Sequence, residues 1–92
     1  RGSTVLLVDD DPLIATSAVD MLEDIGHIVI EANSGQDALE ILRSDRSIDI
    51  LVTDHSMPGM TGMELARATR EIRPDIPILL VTGFADLAED TS

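Results

Sequence analysis

Asp9 and Asp10 stand side by side after the apolar run Val5–Val8, and Asp54 stands after a second run, Ile50–Thr53. Carboxylates gathered within about 4–6 Å of one another cannot all stay ionised without a counter-cation. A hard divalent ion relieves that repulsion. Mg2+ suits one or two carboxylates, waters and a phosphate. Thr82 brings a hydroxyl to the same place after a third run, Ile78–Val81. Taken singly, each residue has a plain explanation, because an acid at a strand end is usually solvated. The coincidence across separate runs is what points to chemistry.

These side chains converge only if the runs are parallel neighbours. "TVLLVDD" is a short β-branched run that reads as a strand buried on both faces. Asp11 followed by Pro12 marks a helix start, with the acid as N-cap and proline at the first helical position. Leu13, Ile14, Ala18, Met21, Leu22 and Ile25 recur at helical spacing, and Gly26 is the expected stop. "HIVIEA" is a second strand, followed by a turn over Asn33–Gly35.

Ser34 and Asp37 resemble a capping box, opening a helix that carries Ala38, Leu39 and Leu42. "SIDILVTD" is a third strand and "HSMPGMTG" a loop broken at Pro58, Gly59 and Gly62. Thr61 and Glu64 form another capping box, ahead of Leu65, Ala68 and Ile72. Pro74 and Pro77 bracket the turn before a fourth strand, "IPILLVTG", and "FADLAEDTS" is a loop or the start of a helix.

Strands alternating with helices predict an α/β fold with a mostly parallel, doubly wound sheet. In such sheets ligands bind beyond the carboxyl ends of the strands, where Asp9, Asp10, Asp54 and Thr82 fall. "IPILLV" is apolar on both faces, so it belongs inside a sheet, beside a fifth strand or another chain.

With 92 residues the chain forms one domain with a modest core. Acids outnumber bases 18 to 6, for a net charge of −12. Such a surface repels nucleic acid and anionic membranes and favours cations and basic partners, or serves solubility alone. There is no cysteine, hence no disulfide framework or thiolate metal site. No apolar run approaches the ~20 residues of a membrane span. The expectation is a cytoplasmic module that binds neither nucleic acid nor membrane. His27 and His55 read as structural, and Met57, Met60 and Met63 as packing around the loop after Asp54.

"LLVDDDP", "ILVTDHSMPGMTGMEL" and "PILLVTG" together resemble the receiver domain of two-component response regulators, with a flavour of receivers attached to hybrid sensor histidine kinases. The resemblance covers essentially the whole chain. It implies a flavodoxin-like sheet with strand order 2-1-3-4 and Asp54 as phosphoacceptor for a phosphohistidine. It implies Mg2+ held by Asp10, Asp54 and the backbone carbonyl of Ser56, with Asp9 acting through a coordinated water. Thr82 would donate its hydroxyl to the phosphoryl group, helped by the amide of Gly83. The helix after Asp11 would dock a histidine kinase or phosphotransfer domain, presenting Thr16, Ser17 and Asp20. Such a domain is not a turnover enzyme, but promotes its own phosphorylation and dephosphorylation.

Receivers also carry a lysine at the end of a fifth strand as counter-charge to the phosphate. All six bases here are arginines, and the only aromatic is Phe84. The chain therefore reads as a single receiver domain over residues 1–92 that lacks the fifth strand and last helix. The apolar fourth strand could then support a homodimer or strand exchange. Two other readings stay open. One is a degenerate, non-phosphorylated receiver acting as an interaction or dimerisation module. The other is an aspartate-nucleophile phosphatase, which would need a catalytic lysine.

Overall fold

The computed structural model describes residues 2–55 and 57–81. Its elements run β1 (Thr4–Val8), α1 (Pro12–Asp24), β2 (Ile28–Ala32), α2 (Gly35–Arg43), β3 (Ile50–Asp54), α3 (Gly62–Ile72) and β4 (Ile78–Val81). The sheet is parallel, in the order β2-β1-β3-β4. This is the expected doubly wound, flavodoxin-like arrangement.

Strand alternation divides the core. Leu6, Val8 and Leu51 face α2 and α3, where they meet Ala38, Leu39, Leu42 and Leu65. Leu6, Leu42, Leu51 and Leu65 are essentially sealed from solvent. Each such leucine contributes about 1.5–3 kcal/mol by burial. Val5 belongs to the opposite face, where it lines a groove with Val52, Leu79 and Leu22 of α1. β1 is buried over almost its whole length, as the unbroken apolar run requires.

The helix starts are built as the sequence indicates, with one difference. Thr61 and Glu64 close a full capping box: Glu64 N–H donates to Thr61 Oγ1 at 3.2 Å and Thr61 N–H to Glu64 Oε1 at 2.9 Å. At α2, Ser34 Oγ accepts from Asp37 N–H at 3.1 Å, but no return bond from Asp37 forms. Aspartate is one methylene shorter than the glutamate a reciprocal box uses. Gly26 ends α1 with φ +97°, the left-handed conformation that glycine adopts without a Cβ penalty.

Helical spacing located α1 but overstated its burial. Ala15 is its only buried residue, while Leu13, Ile14, Met21 and Ile25 are exposed. The fourth strand is likewise less enclosed than its composition indicates. Among the described residues β4 is the sheet's edge, with Leu79 and Val81 exposed. No described helix is long and apolar enough to cross a membrane.

Candidate functional site

The register places the acids. Val8 pairs with Thr53, so Asp9 and Asp54 emerge at the same level from neighbouring strands. Asp9, Asp10 and Asp54 each offer a carboxylate oxygen, and the three oxygens lie within 4.8 Å of one another. That spacing fits a single oxygen-liganded cation. The three differ in exposure: Asp9 is buried, Asp54 half-buried and Asp10 exposed.

Asp9 carries the electrostatic cost. Its carboxyl is raised above the ordinary value of 3.8, chiefly by burial. The charges of Asp54 and Asp10 push it further in the same direction, while the N–H of Asp11 pulls it back by donating to Asp9 Oδ1 at 2.9 Å. An isolated solvated pair would show no such conflict. Charge neutralisation by a cation relieves it, so the residues present fit a hard divalent ion.

Asp11 is the N-cap that the sequence indicates. Its Oδ1 accepts from Leu13 N–H at 3.0 Å and from Ile14 N–H at 3.5 Å. It is not one of the three clustered acids.

The loop after Asp54 is held by contacts that the sequence does not announce. Gly62 N–H donates to His55 O at 3.0 Å. A Cβ on Gly62 would lie 2.5 Å from the Asp54 carbonyl oxygen and 2.9 Å from His55 Cα. Glycine is therefore what lets the start of α3 close on the end of β3. Thr53, fully buried, donates its hydroxyl to the same Asp54 carbonyl at 3.0 Å. Gly59 has φ +83° and turns the loop. Met57 is buried in the core, whereas Met63 is exposed.

Neither histidine belongs to the acidic cluster. His27 Nδ1 accepts from Ser3 N–H at 3.0 Å, a strand-anchoring bond. His55 is half-buried, and its Nδ1 is sealed from solvent with no hydrogen-bond partner among the described residues. Thr16, Ser17 and Asp20 are exposed on α1. Ser56, Thr82 and Gly83, the remaining expected site residues, lie outside the described residues.

The sequence profile of the response regulator receiver domain matches residues 5–91. Over 86 residues the chain is 41% identical to the sensor kinase CckA of Brucella abortus, covering 92% of this chain and 9% of the kinase. It is 40% identical to the response regulator receiver protein CpdR of the same organism, covering 91% of this chain and 69% of that protein. The chain thus spans less than a tenth of the sensor kinase it matches and about two thirds of the smaller regulator. Among solved structures it is similar to the response regulator protein TrrA of Thermotoga maritima in complex with Mg2+-BeF. There the TM-score is 0.83 at 29% identity, covering 96% of this chain and 76% of that one. With parallel strands in the order 2-1-3-4 and acids grouped at their carboxyl ends, the chain belongs to the response regulator receiver domain family of two-component systems.

Proposed function

We propose that this domain accepts a phosphoryl group from a phosphohistidine onto Asp54, with Mg2+ held by Asp10 and Asp54 and, through a coordinated water, by Asp9. The observation that carries the proposal is the approach of those three carboxylates to within 4.8 Å at the carboxyl ends of β1 and β3. An oxygen of Asp54 forms the new bond to phosphorus. The P–N bond to the donor imidazole breaks, and its electron pair goes to the nitrogen, which takes a proton. A bound Mg2+ supplies positive charge against the developing negative charge on the transferred oxygens.

The protein's own part is positioning. β1 and β3 set Asp9 and Asp54 at one level, and the close approach of Gly62 holds the backbone at Asp54. Half-burial leaves Asp54 reachable by a donor. By family resemblance, the Ser56 carbonyl adds a metal ligand, Thr82 donates its hydroxyl to the phosphoryl group, and the Gly83 amide assists. The partner on this reading is a histidine kinase or a phosphotransfer domain meeting α1, and the setting is the cytoplasm.

The test is labelling with acetyl phosphate, or binding of beryllofluoride, with and without Mg2+. Native protein is expected to react only with Mg2+, and Asp54→Asn not at all. Labelling that survives Asp54→Asn overturns the assignment. A degenerate receiver, the alternative reading, would bind neither Mg2+ nor beryllofluoride.

A further inference from the structure

Asp11 lies outside the acidic trio, yet it touches the trio through its backbone. Its N–H donates to Asp9 Oδ1 at 2.9 Å. Its side chain accepts from Leu13 N–H at 3.0 Å and Ile14 N–H at 3.5 Å, and its carbonyl accepts from Ala15 N–H at 2.9 Å. One residue therefore grips both the most buried acid of the site and the first turn of α1.

On the helix side, Leu13 is 80% exposed and Ile14 51% exposed, so in the first turn only Ala15 is held by burial. Orphan N–H groups at a helix start depend on the cap. On the acid side, the Asp9 backbone is fixed by its N–H to Ala32 O at 3.2 Å. The carboxylate can still rotate, and among the described hydrogen bonds only the Asp11 N–H restrains it.

The amide of Asp11, not its charged group, meets the trio: the N–H donates to Asp9 Oδ1, whereas the Asp11 carboxylate is not one of the clustered acids. That carboxylate is turned into the cap, where it accepts from the helix.

We infer that Asp11 is a positioning residue: by capping α1 it holds its own amide where that amide orients Asp9 for a divalent cation. The inference rests on reading the acids as a Mg2+ site. It has a reciprocal consequence. Coupling between two sites acts equally in both directions. Cation binding must therefore steady the first turn of α1, and whatever fixes that turn must tighten cation binding.

The experiment compares Asp11→Asn with Asp11→Ala by Mg2+ titration and by amide hydrogen exchange at Leu13 and Ile14. Asparagine keeps the cap and removes the charge, while alanine keeps the N–H and removes the cap. Asp11→Asn is expected to bind Mg2+ within about twofold of native, and Asp11→Ala roughly tenfold more weakly, as for other supports of metal ligands. Mg2+ should slow exchange at Leu13 and Ile14 in the native protein and in Asp11→Asn, and much less in Asp11→Ala. Exchange in α2 and α3 should be alike in all three, which separates positioning from general unfolding. Equal weakening in both variants would assign the effect to charge and overturn the proposal. So would native affinity in Asp11→Ala. A native protein that binds no Mg2+ would instead overturn the metal reading itself.

Discussion

Asp9, just past the end of β1, and Asp54, at the end of β3, have carboxylate oxygens no more than 4.8 Å apart, and Asp9 is the buried member of the pair. The fold thus keeps, at its own expense, a carboxyl whose charge burial and the neighbouring acids disfavour. Several measurable consequences come from that placement.

The first is a pH dependence. Burial, foremost, raises Asp9 above 3.8 in the folded chain. In the window that opens near pH 3.8 and closes at the raised value, the folded state holds a proton that the unfolded state has lost. Stability from this group is present below the window, falls as pH rises through it, and is gone above it. Asparagine has no charge to bury. In EDTA, Asp9→Asn should melt at a higher temperature than native protein at neutral pH, and the gain should vanish below pH 3.8. Thermal melts across that range check it, and a gain independent of pH would exclude burial of charge as its source.

Adding Mg2+ should reverse the order. A ligand that binds only the folded state stabilises it by about 2.7 kcal/mol at one hundred times its dissociation constant. Native protein should gain that amount, read as a shift in denaturation midpoint. Asp9→Asn should gain little, because a neutral amide is a poorer ligand for a hard cation. The substitution that stabilises the metal-free fold is thus the one that forfeits stabilisation by metal.

Gly62 and Gly59 separate a steric role from a conformational one. A Cβ on Gly62 would press on backbone atoms of Asp54 and His55, which cannot swing aside. Gly62→Ala should cost about 1–3 kcal/mol as an overpacked site. It should also weaken Mg2+ binding, because the displaced backbone carries Asp54. Gly59 has open space around it but sits at φ +83°, so Gly59→Ala pays only the left-handed penalty of about 1–2 kcal/mol. Its Mg2+ affinity should stay near native. Urea titration and metal titration of both variants distinguish the two effects.

What the sequence made legible was whatever repeats along the chain or terminates a run. Asp9, Asp10 and Asp54 stand out because each follows an apolar strand, and parallel pairing with Val8 opposite Thr53 brings them together. Caps at Asp11, Ser34 and Thr61 are local, and all three form. Burial is not local. Helical spacing made Leu13, Met21 and Ile25 look like core, but which helix flank is covered depends on what packs beside it. Contacts across the fold left no local trace either: the Asp11 amide on Asp9, and the start of α3 against the Asp54 carbonyl. The glycine at position 62 was visible as a loop breaker, though not as the spacer behind the phosphoacceptor candidate.

Arg73 is the clearest of these silent contacts. Its Nε donates to Leu42 O at 2.9 Å, and its Nη2 to Ser44 O at 3.0 Å and Arg46 O at 2.7 Å. Those carbonyls lie at and beyond the carboxyl end of α2, where the last helical carbonyls lack intrahelical partners and the helix dipole is negative. One guanidinium from the end of α3 therefore closes the end of α2. Hydrogen bonds from a charged donor contribute about 1.5–3 kcal/mol, and the partial exposure of Arg73 lowers that, so Arg73→Ala should cost about 1–2 kcal/mol. Lysine carries the charge without the planar fork and cannot reproduce the three-carbonyl geometry. The expected order of urea midpoints is native, then Arg73→Lys, then Arg73→Ala. Because the clip sits at the opposite end of the helices from the acids, Mg2+ affinity should be equal in all three. A lysine variant as stable as native would mean that charge at the helix end, not the fork, closes α2.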